Sequence, residues 1–205
     1  MEPIIKSLPG YRVNEYLIVL NPHEELRNRM MAVKTEFNDK FKIESGIFNH
    51  PQLALVRFTQ YAMMEERLVN RLRTIAMGHT PFKVELKDFG SFPSHSIYIN
   101  ILSKPAVQGL IKDVRKEANR LMKLNEDHKP HYIMEPHILV ARNLKPWQYE
   151  KGWLEYSSKH FTGRFIADSM TLLARIAGER KYYVVRKFEF ENLPVATKQG
   201  ELFRE

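Results

Sequence analysis

The chain contains no cysteine in 205 residues. That excludes disulfides and thiolate metal ligands, and it fits a reducing cytoplasm. Long apolar runs are missing as well. No stretch is long enough to cross a bilayer, so no membrane partner is expected. The opening Met1-Glu2-Pro3-Ile4-Ile5-Lys6 is too short and too polar to read as a signal peptide. No block of five or more like charges occurs, so a basic tail does not explain the net charge of +8. What the chain does have is 43% hydrophobic and 27% charged residues, the balance of a globular protein of one or two domains. A positive excess spread along such a chain favours anionic partners, nucleotides or nucleic acid.

The most informative pattern is an internal repeat. Pro51-Gln52-Leu53-Ala54-Leu55-Val56-Arg57 recurs 85 residues later as Pro136-His137-Ile138-Leu139-Val140-Ala141-Arg142. Each copy reads proline, one polar side chain, four apolar residues, arginine. Around the two copies the order of elements also recurs. Tyr16–Leu20 is an apolar run that reads as a strand, and His95–Leu102 is its counterpart. A helix follows each. The first spans 22–40, with Asn21 as cap, Pro22 at the first helical position, and Leu26, Met30, Val33 and Phe37 on one face. The second spans 104–124, with Val107, Leu110, Val114, Ala118 and Leu121 on one face. The repeat strands come next, at 52–58 and 136–142, separated from what precedes them by connectors at 41–50 and 125–134.

Helices are then expected at 61–75 and 147–158. Strands are expected at 82–89, 161–174 and 181–190, with turns at Gly90-Ser91-Phe92-Pro93 and Gly178. The fold class implied is α+β: a duplicated, two-lobed unit, pseudo-two-fold symmetric, with antiparallel sheets lining a central cleft and helices outside. One intertwined domain covers 1–190, with copies at about 16–89 and 95–174 and a closing hairpin strand at 181–190. Residues 191–205 form a tail.

Alternate residues of a strand share a face. Gln52, Ala54 and Val56 therefore share one side, and His137, Leu139 and Ala141 share the equivalent side of the other copy. If these faces meet, Gln52 and His137 meet in the cleft. Strict alternation turns Arg57 and Arg142 away from them unless the strand ends redirect them. Tyr61, Trp147 and Tyr149 follow the strands, and at a cleft mouth they could stack on bases. Lys145 lies nearby in sequence.

The repeated strands, together with Phe89-Gly90-Ser91-Phe92-Pro93, Phe161-Thr162-Gly163-Arg164-Phe165 and Tyr183-Val184-Val185-Arg186-Lys187-Phe188, resemble the 2H phosphoesterases. That family includes the bacterial 2′-5′ RNA ligase-like proteins and cyclic nucleotide phosphodiesterases. The resemblance implies two His-x-Thr/Ser motifs, one per lobe. One histidine acts as general base and the other as general acid, and the hydroxyls bind phosphate oxygens. Acid and base roles need groups that titrate near neutrality, as histidine does.

This chain departs from the pattern at three of four positions. Gln52 stands for the first histidine, Ala54 for the first hydroxyl and Leu139 for the second. His137 alone remains as a candidate catalytic group. His50, His95, His128 and His131 are alternative partners for it. His128-x-x-His131 has no third metal ligand beside it, so no metal is expected, and no other cofactor is implied.

Three readings follow. In the leading one the cleft binds a nucleotide or RNA end through its phosphate, using Gln52, His137, Arg57, Arg142, Tyr61 and Trp147, with catalysis impaired. In the second, the chain is an active 2′,3′-cyclic phosphodiesterase in which His137 works with a non-standard partner. In the third, an apolar cleft serves a non-catalytic protein-interaction module. Nothing in the pattern specifies an oligomeric state.

Overall fold

Along Val13–Leu20 (β1) the two faces of the strand have different destinations. Tyr16, Ile18 and Leu20 enter the main core, while Leu17 and Val19 join a separate small apolar cluster on the other face. In the computed structural model, which describes residues 9–43, 50–93 and 95–193, the chain continues through α1 (Glu24–Phe41), β2 (Leu53–Tyr61), α2 (Glu65–Met77), β3 (Phe82–Phe92), β4 (Ser96–Ile101) and α3 (Lys104–Met122). It closes with β5 (His131–Tyr132), β6 (His137–Arg142), α4 (Pro146–Tyr156), β7 (Thr162–Ala167), β8 (Ser169–Ile176) and β9 (Tyr183–Glu189).

The strands make two antiparallel sheets, ordered β5-β2-β1-β8-β9 and β6-β4-β3-β7. Apart from β5, the two orders superpose term by term: β2 on β6, β1 on β4, β8 on β3, β9 on β7. The α+β, two-lobed, duplicated architecture expected from the repeat is therefore what the chain forms. The lobes exchange parts. β3, from the first half, completes the second sheet, and β8, from the second half, completes the first. Helices α2 and α3 pack on the first sheet, while α1 and α4 pack on the second. Helices cover the outer faces and leave the inner faces toward a cleft, where β2 and β6 approach each other.

One continuous apolar core runs under the helices. Tyr16, Phe37, Leu55, Leu72, Ile97 and Tyr156 are among its fully buried members. Burial of each such side chain favours folding by roughly 1.5–3 kcal/mol. At Gly152 on α4 an added Cβ would lie 2.7 Å from the Phe37 ring and 3.3 Å from Ile97. Only glycine lets α4 come this close to α1 and β4. At the other lobe, buried Gln60 donates from Nε2 to the carbonyls of Leu121 (2.8 Å) and Lys123 (3.3 Å), capping the end of α3.

Several local expectations need correction. The first helix is capped by His23, not Asn21: the Leu26 amide donates to His23 Nδ1 at 3.3 Å. Leu26, Met30 and Phe37 of its expected apolar face are buried, but Val33 is only partly so and Lys34 is buried beside them. The connector at 125–134 contains β5, which adds to the edge of β2. Gly90 lies inside β3 and not in a turn. The expected single strand 161–174 is two strands. The chain leaves the second sheet at Ala167, crosses at Asp168 and enters the first at Ser169. Within the first connector, 44–49 lie outside the described residues, as do 194–205 of the expected tail.

Candidate functional site

Register decides which side chains face the cleft. In the first sheet Val19 pairs with Ala54 but Ile18 pairs with Val56, so β2 carries an extra residue at Leu55. In the second sheet Tyr98 pairs with Leu139 but Ile97 pairs with Ala141, so β6 carries an extra residue at Val140. Both repeat strands thus have a β-bulge at the same repeat position. A bulge resets the two-residue alternation. Arg57 becomes the partner of Leu17, on the face of Ala54, and Arg142 the partner of Ser96, on the face of Leu139. This overturns the expectation from strict alternation. Both arginines lie on the cleft side, both are exposed, and neither has an ion pair among the described residues. Val56 and Ala141, expected on the cleft side, turn into the core instead.

Across the cleft the first sheet is largely apolar. Leu17, Val19 and Leu173 form a cluster, with Ala54 and Tyr182 packed against it. Tyr182 precedes β9 and carries the Arg175 guanidinium 4.7 Å over its ring. Arg175 is itself held by Glu15 through a 2.5 Å contact. Burial raises the Tyr182 phenol's pKa, while the charges of Arg175, Arg57 and Arg142 pull it back down. One phenol therefore feels the charge of an arginine from each lobe. Arg142 also acts on Lys34, a buried amine whose pKa is pushed down to about 8, mainly by burial.

The second sheet presents His137 among aromatic rings. Its ring centroid is 4.9 Å from Phe92, edge to face, and 5.0 Å from Tyr98. Gly90 makes room for this: a Cβ there would lie 2.6 Å from the Tyr98 ring and 2.7 Å from Asn100 Oδ1. The His137 Nδ1–H donates to the Glu135 carbonyl at 2.6 Å, which fixes the ring and leaves Nε2 with a lone pair in the neutral form. Burial lowers the His137 pKa, and the Lys104 charge adds to that; the hydrogen bond to Glu135 and its carboxylate act the other way. Lys104, at the start of α3, is paired with Glu135 at 2.9 Å.

The sign of the resulting stability effect is fixed. The folded pKa lies below the unfolded value of about 6.5, so the unfolded chain binds the proton more tightly. His137 therefore favours folding fully above that value, and the contribution is lost as pH falls through the folded pKa. Urea midpoints of wild type and His137→Gln should converge, or cross, as pH is lowered from about 7.5 to about 5.5. A constant difference between the two would show that His137 does not titrate this way.

The other sequence candidates are spread out. Gln52 lies just before β2, half-buried, and makes no side-chain hydrogen bond among the described residues. Tyr61 is on the cleft-side face but four residues beyond Arg57, roughly 13 Å along the strand. There its ring meets Tyr11 at 6.0 Å. Trp147 sits on the first turn of α4, which packs on the outer face of the second sheet. The structure does not bring it to the cleft with His137.

Among the remaining histidines, His95 stacks on Phe92 at 6.1 Å with its Nδ1 on the Pro93 carbonyl at 2.9 Å, and it makes no contact with His137 among the described residues. His128 bonds Asn125, and His50 is exposed. His131 is the register partner of Arg57 and shares its face. Sequence reasoning missed Asn100, the register partner of His137, and Asn21, its counterpart in the other lobe, which bonds Thr171 at 3.0 Å. Aligning the strand next to each repeat strand would have found both.

The family model of the 2′-5′ RNA ligase superfamily matches residues 45–179. This chain belongs to that superfamily. Solved structures agree on the fold. Apo LigT of E. coli superposes with a TM-score of 0.61 at 14% identity, covering 87% of this chain and 98% of LigT. TT0787 of Thermus thermophilus gives 0.59 at 15%, covering 86% and 98%. LigT has also been solved with 3′-AMP, matching at 0.59 and 14% over 87% and 98%. No curated protein sequence matches the chain. The chain has the two-lobed frame, with Gln52, Ala54, His137 and Leu139 at the four positions singled out from its sequence. No helix among the described residues is long and apolar enough to cross a membrane.

Proposed function

We propose that this superfamily member binds the phosphate of a nucleotide or RNA end in the central cleft and hydrolyses it poorly. The observation that carries the reading is the pair of matched bulges. Each one turns an arginine without an ion pair toward the cleft, one from each lobe, and both act on the Tyr182 phenol. Two guanidiniums, one from each lobe, offer planar donors suited to phosphate oxygens, and His137 stands further along β6 as a third group. A bound phosphate also raises the histidine pKa again, so binding takes up a proton.

Hydrolysis needs a second titratable group across from His137. Gln52 cannot supply one, His95 is engaged with the Pro93 carbonyl, and His131 is level with Arg57, well along β2 from Gln52. The apolar patch around Ala54 removes a donor where charge would develop.

The test is calorimetric titration with 3′-AMP and with a 2′,3′-cyclic nucleotide, paired with a turnover assay. Affinity should rise as pH falls from about 8 to about 6, in step with His137 protonation, and turnover should stay near the blank. Turnover that disappears on His137→Ala would establish an active phosphodiesterase instead. Absence of any binding by either compound would leave the apolar floor as the cleft's working surface and sink the phosphate reading.

A further inference from the structure

The outer surface of the first lobe carries a second feature, independent of the cleft. Helices α2 and α3 pack side by side and leave a groove of 620 Å³ between their exposed flanks. Its walls bear five cations, Arg71, Lys112, Arg115, Lys116 and Arg120, and one carboxylate, Glu117. All five cations are exposed. Glu117 is shared by Arg71 (3.7 Å) and Lys116 (3.8 Å), contacts too long to neutralise either fully. Asp113, the other acid on this stretch of α3, is engaged by His79 at 3.2 Å. Arg115 lies 5.5 Å from the Tyr132 ring centroid, which holds its guanidinium in place. Lys112 and Arg120 have no ion pair among the described residues. The protein therefore keeps a net positive groove on ordered helices, where most of its other surface lysines meet carboxylates.

Geometry selects the partner. Lys112, Lys116 and Arg120 recur at one-turn intervals, spanning roughly 12 Å along α3 at ~1.5 Å per residue. A row of evenly spaced cations suits a polymer with one anion per unit. No apolar side chain lines the groove. It thus lacks the aromatic or aliphatic anchor on which a protein partner's hot spot rests, and the wedge a bilayer surface requires.

We infer that the α2–α3 groove binds the phosphodiester backbone of a single-stranded nucleic acid, without reading its bases. RNA and DNA share this chemistry, and the superfamily frame does not decide between them. The groove covers a stretch of strand, whereas the cleft takes one phosphate. The two sites are therefore separable by ligand length.

Fluorescence anisotropy with labelled single strands of about twelve nucleotides, RNA and DNA, across a salt series tests this. Lys112→Glu combined with Arg120→Glu should weaken binding by about tenfold or more and flatten the log–log salt slope by about 1.4, ~0.7 for each lost contact. Lys112→Gln with Arg120→Gln should reproduce the slope change without adding carboxylates, and melting curves of both variants should match wild type. Binding of 3′-AMP, which reports on the cleft alone, should be unchanged. Loss of 3′-AMP binding in wild type would thus leave the groove standing. An unaltered slope and affinity in both variants overturns the inference. So does displacement of the strand by polyglutamate as readily as by unlabelled oligonucleotide, which would mark a surface for acidic protein.

Discussion

Arg57→Ala combined with Arg142→Ala is expected to abolish nucleotide binding in the cleft, raising the dissociation constant of 3′-AMP by roughly 10²-fold or more. Each hydrogen bond to a charged group is worth about 1.5–3 kcal/mol, and each 1.4 kcal/mol is a factor of ten. The two arginines share one ligand, so their losses need not add. Stability should hardly move, because both side chains are exposed and make no ion pair among the described residues. That separates a binding defect from a folding one. Lysine at either position should restore only part of the affinity, since a point charge replaces a planar fork. The Tyr182 phenol supplies a second readout. Removing two cations that favour its ionised form should raise its pKa further, visible as a later ultraviolet titration. If the double variant binds 3′-AMP as wild type does, the arginines are solvent-facing charges and the cleft reading fails.

How those arginines come to face the cleft shows where sequence reading works and where it stops. The pseudo-two-fold frame was legible, because Pro51–Arg57 and Pro136–Arg142 repeat the same polar, apolar and charged order. The helices were legible too. Their apolar spacing placed Leu26, Met30 and Phe37 on one buried face, and Val107, Leu110, Val114 and Ala118 on another. What failed was parity. A period of two over six residues reads identically with or without one inserted residue, and neither Leu55 nor Val140 is a glycine or proline that would announce a bulge. The single strand expected at 161–174 failed for a related reason. The switch of sheets at Asp168 is marked only by the short Asp168-Ser169 pair, without glycine or proline, inside a run that otherwise reads as strand, and it is held by two bonds a sequence does not display: Ser169 Oγ to Asp168 Oδ1 at 2.7 Å and the Phe190 amide to the Asp168 carbonyl at 2.7 Å.

The surroundings of His137 were not legible in the sequence. Its ring packs against Phe92 and Tyr98, which come from β3 and β4 and touch each other as well, and the space for Tyr98 depends on Gly90. Long-range packing of this kind leaves no local pattern. The same holds for Tyr182, which comes from the closing hairpin and packs with Ala54 on the Leu17–Val19–Leu173 cluster.

If three positions alone hold hydrolysis down, restoring them should release it. Gln52→His, Ala54→Thr and Leu139→Thr together are expected to raise turnover of a 2′,3′-cyclic nucleotide by about 10²-fold or more over wild type. A recovered acid–base partner contributes about 10²–10⁴ and a recovered charge-stabilising donor about 10²–10³, and these factors do not multiply freely. The structure favours the exchange. Leu139 pairs with Tyr98 on the cleft face and is only half-buried, so a hydroxyl there keeps contact with water. Threonine at 54 can leave its methyl on the Leu17–Val19–Leu173 cluster and turn its hydroxyl outward. Gln52 precedes Ala54 by two residues as His137 precedes Leu139, so a histidine at 52 takes the place in the first lobe that His137 takes in the second. The gain must vanish when His137→Ala is added, and the pH–rate profile of the triple variant should become bell-shaped, reporting two imidazoles. A triple variant that folds and binds 3′-AMP but stays inactive would place the barrier elsewhere, in the Tyr182 ring packed on the apolar cluster; Tyr182→Gly in the same background is then the variant whose activity decides.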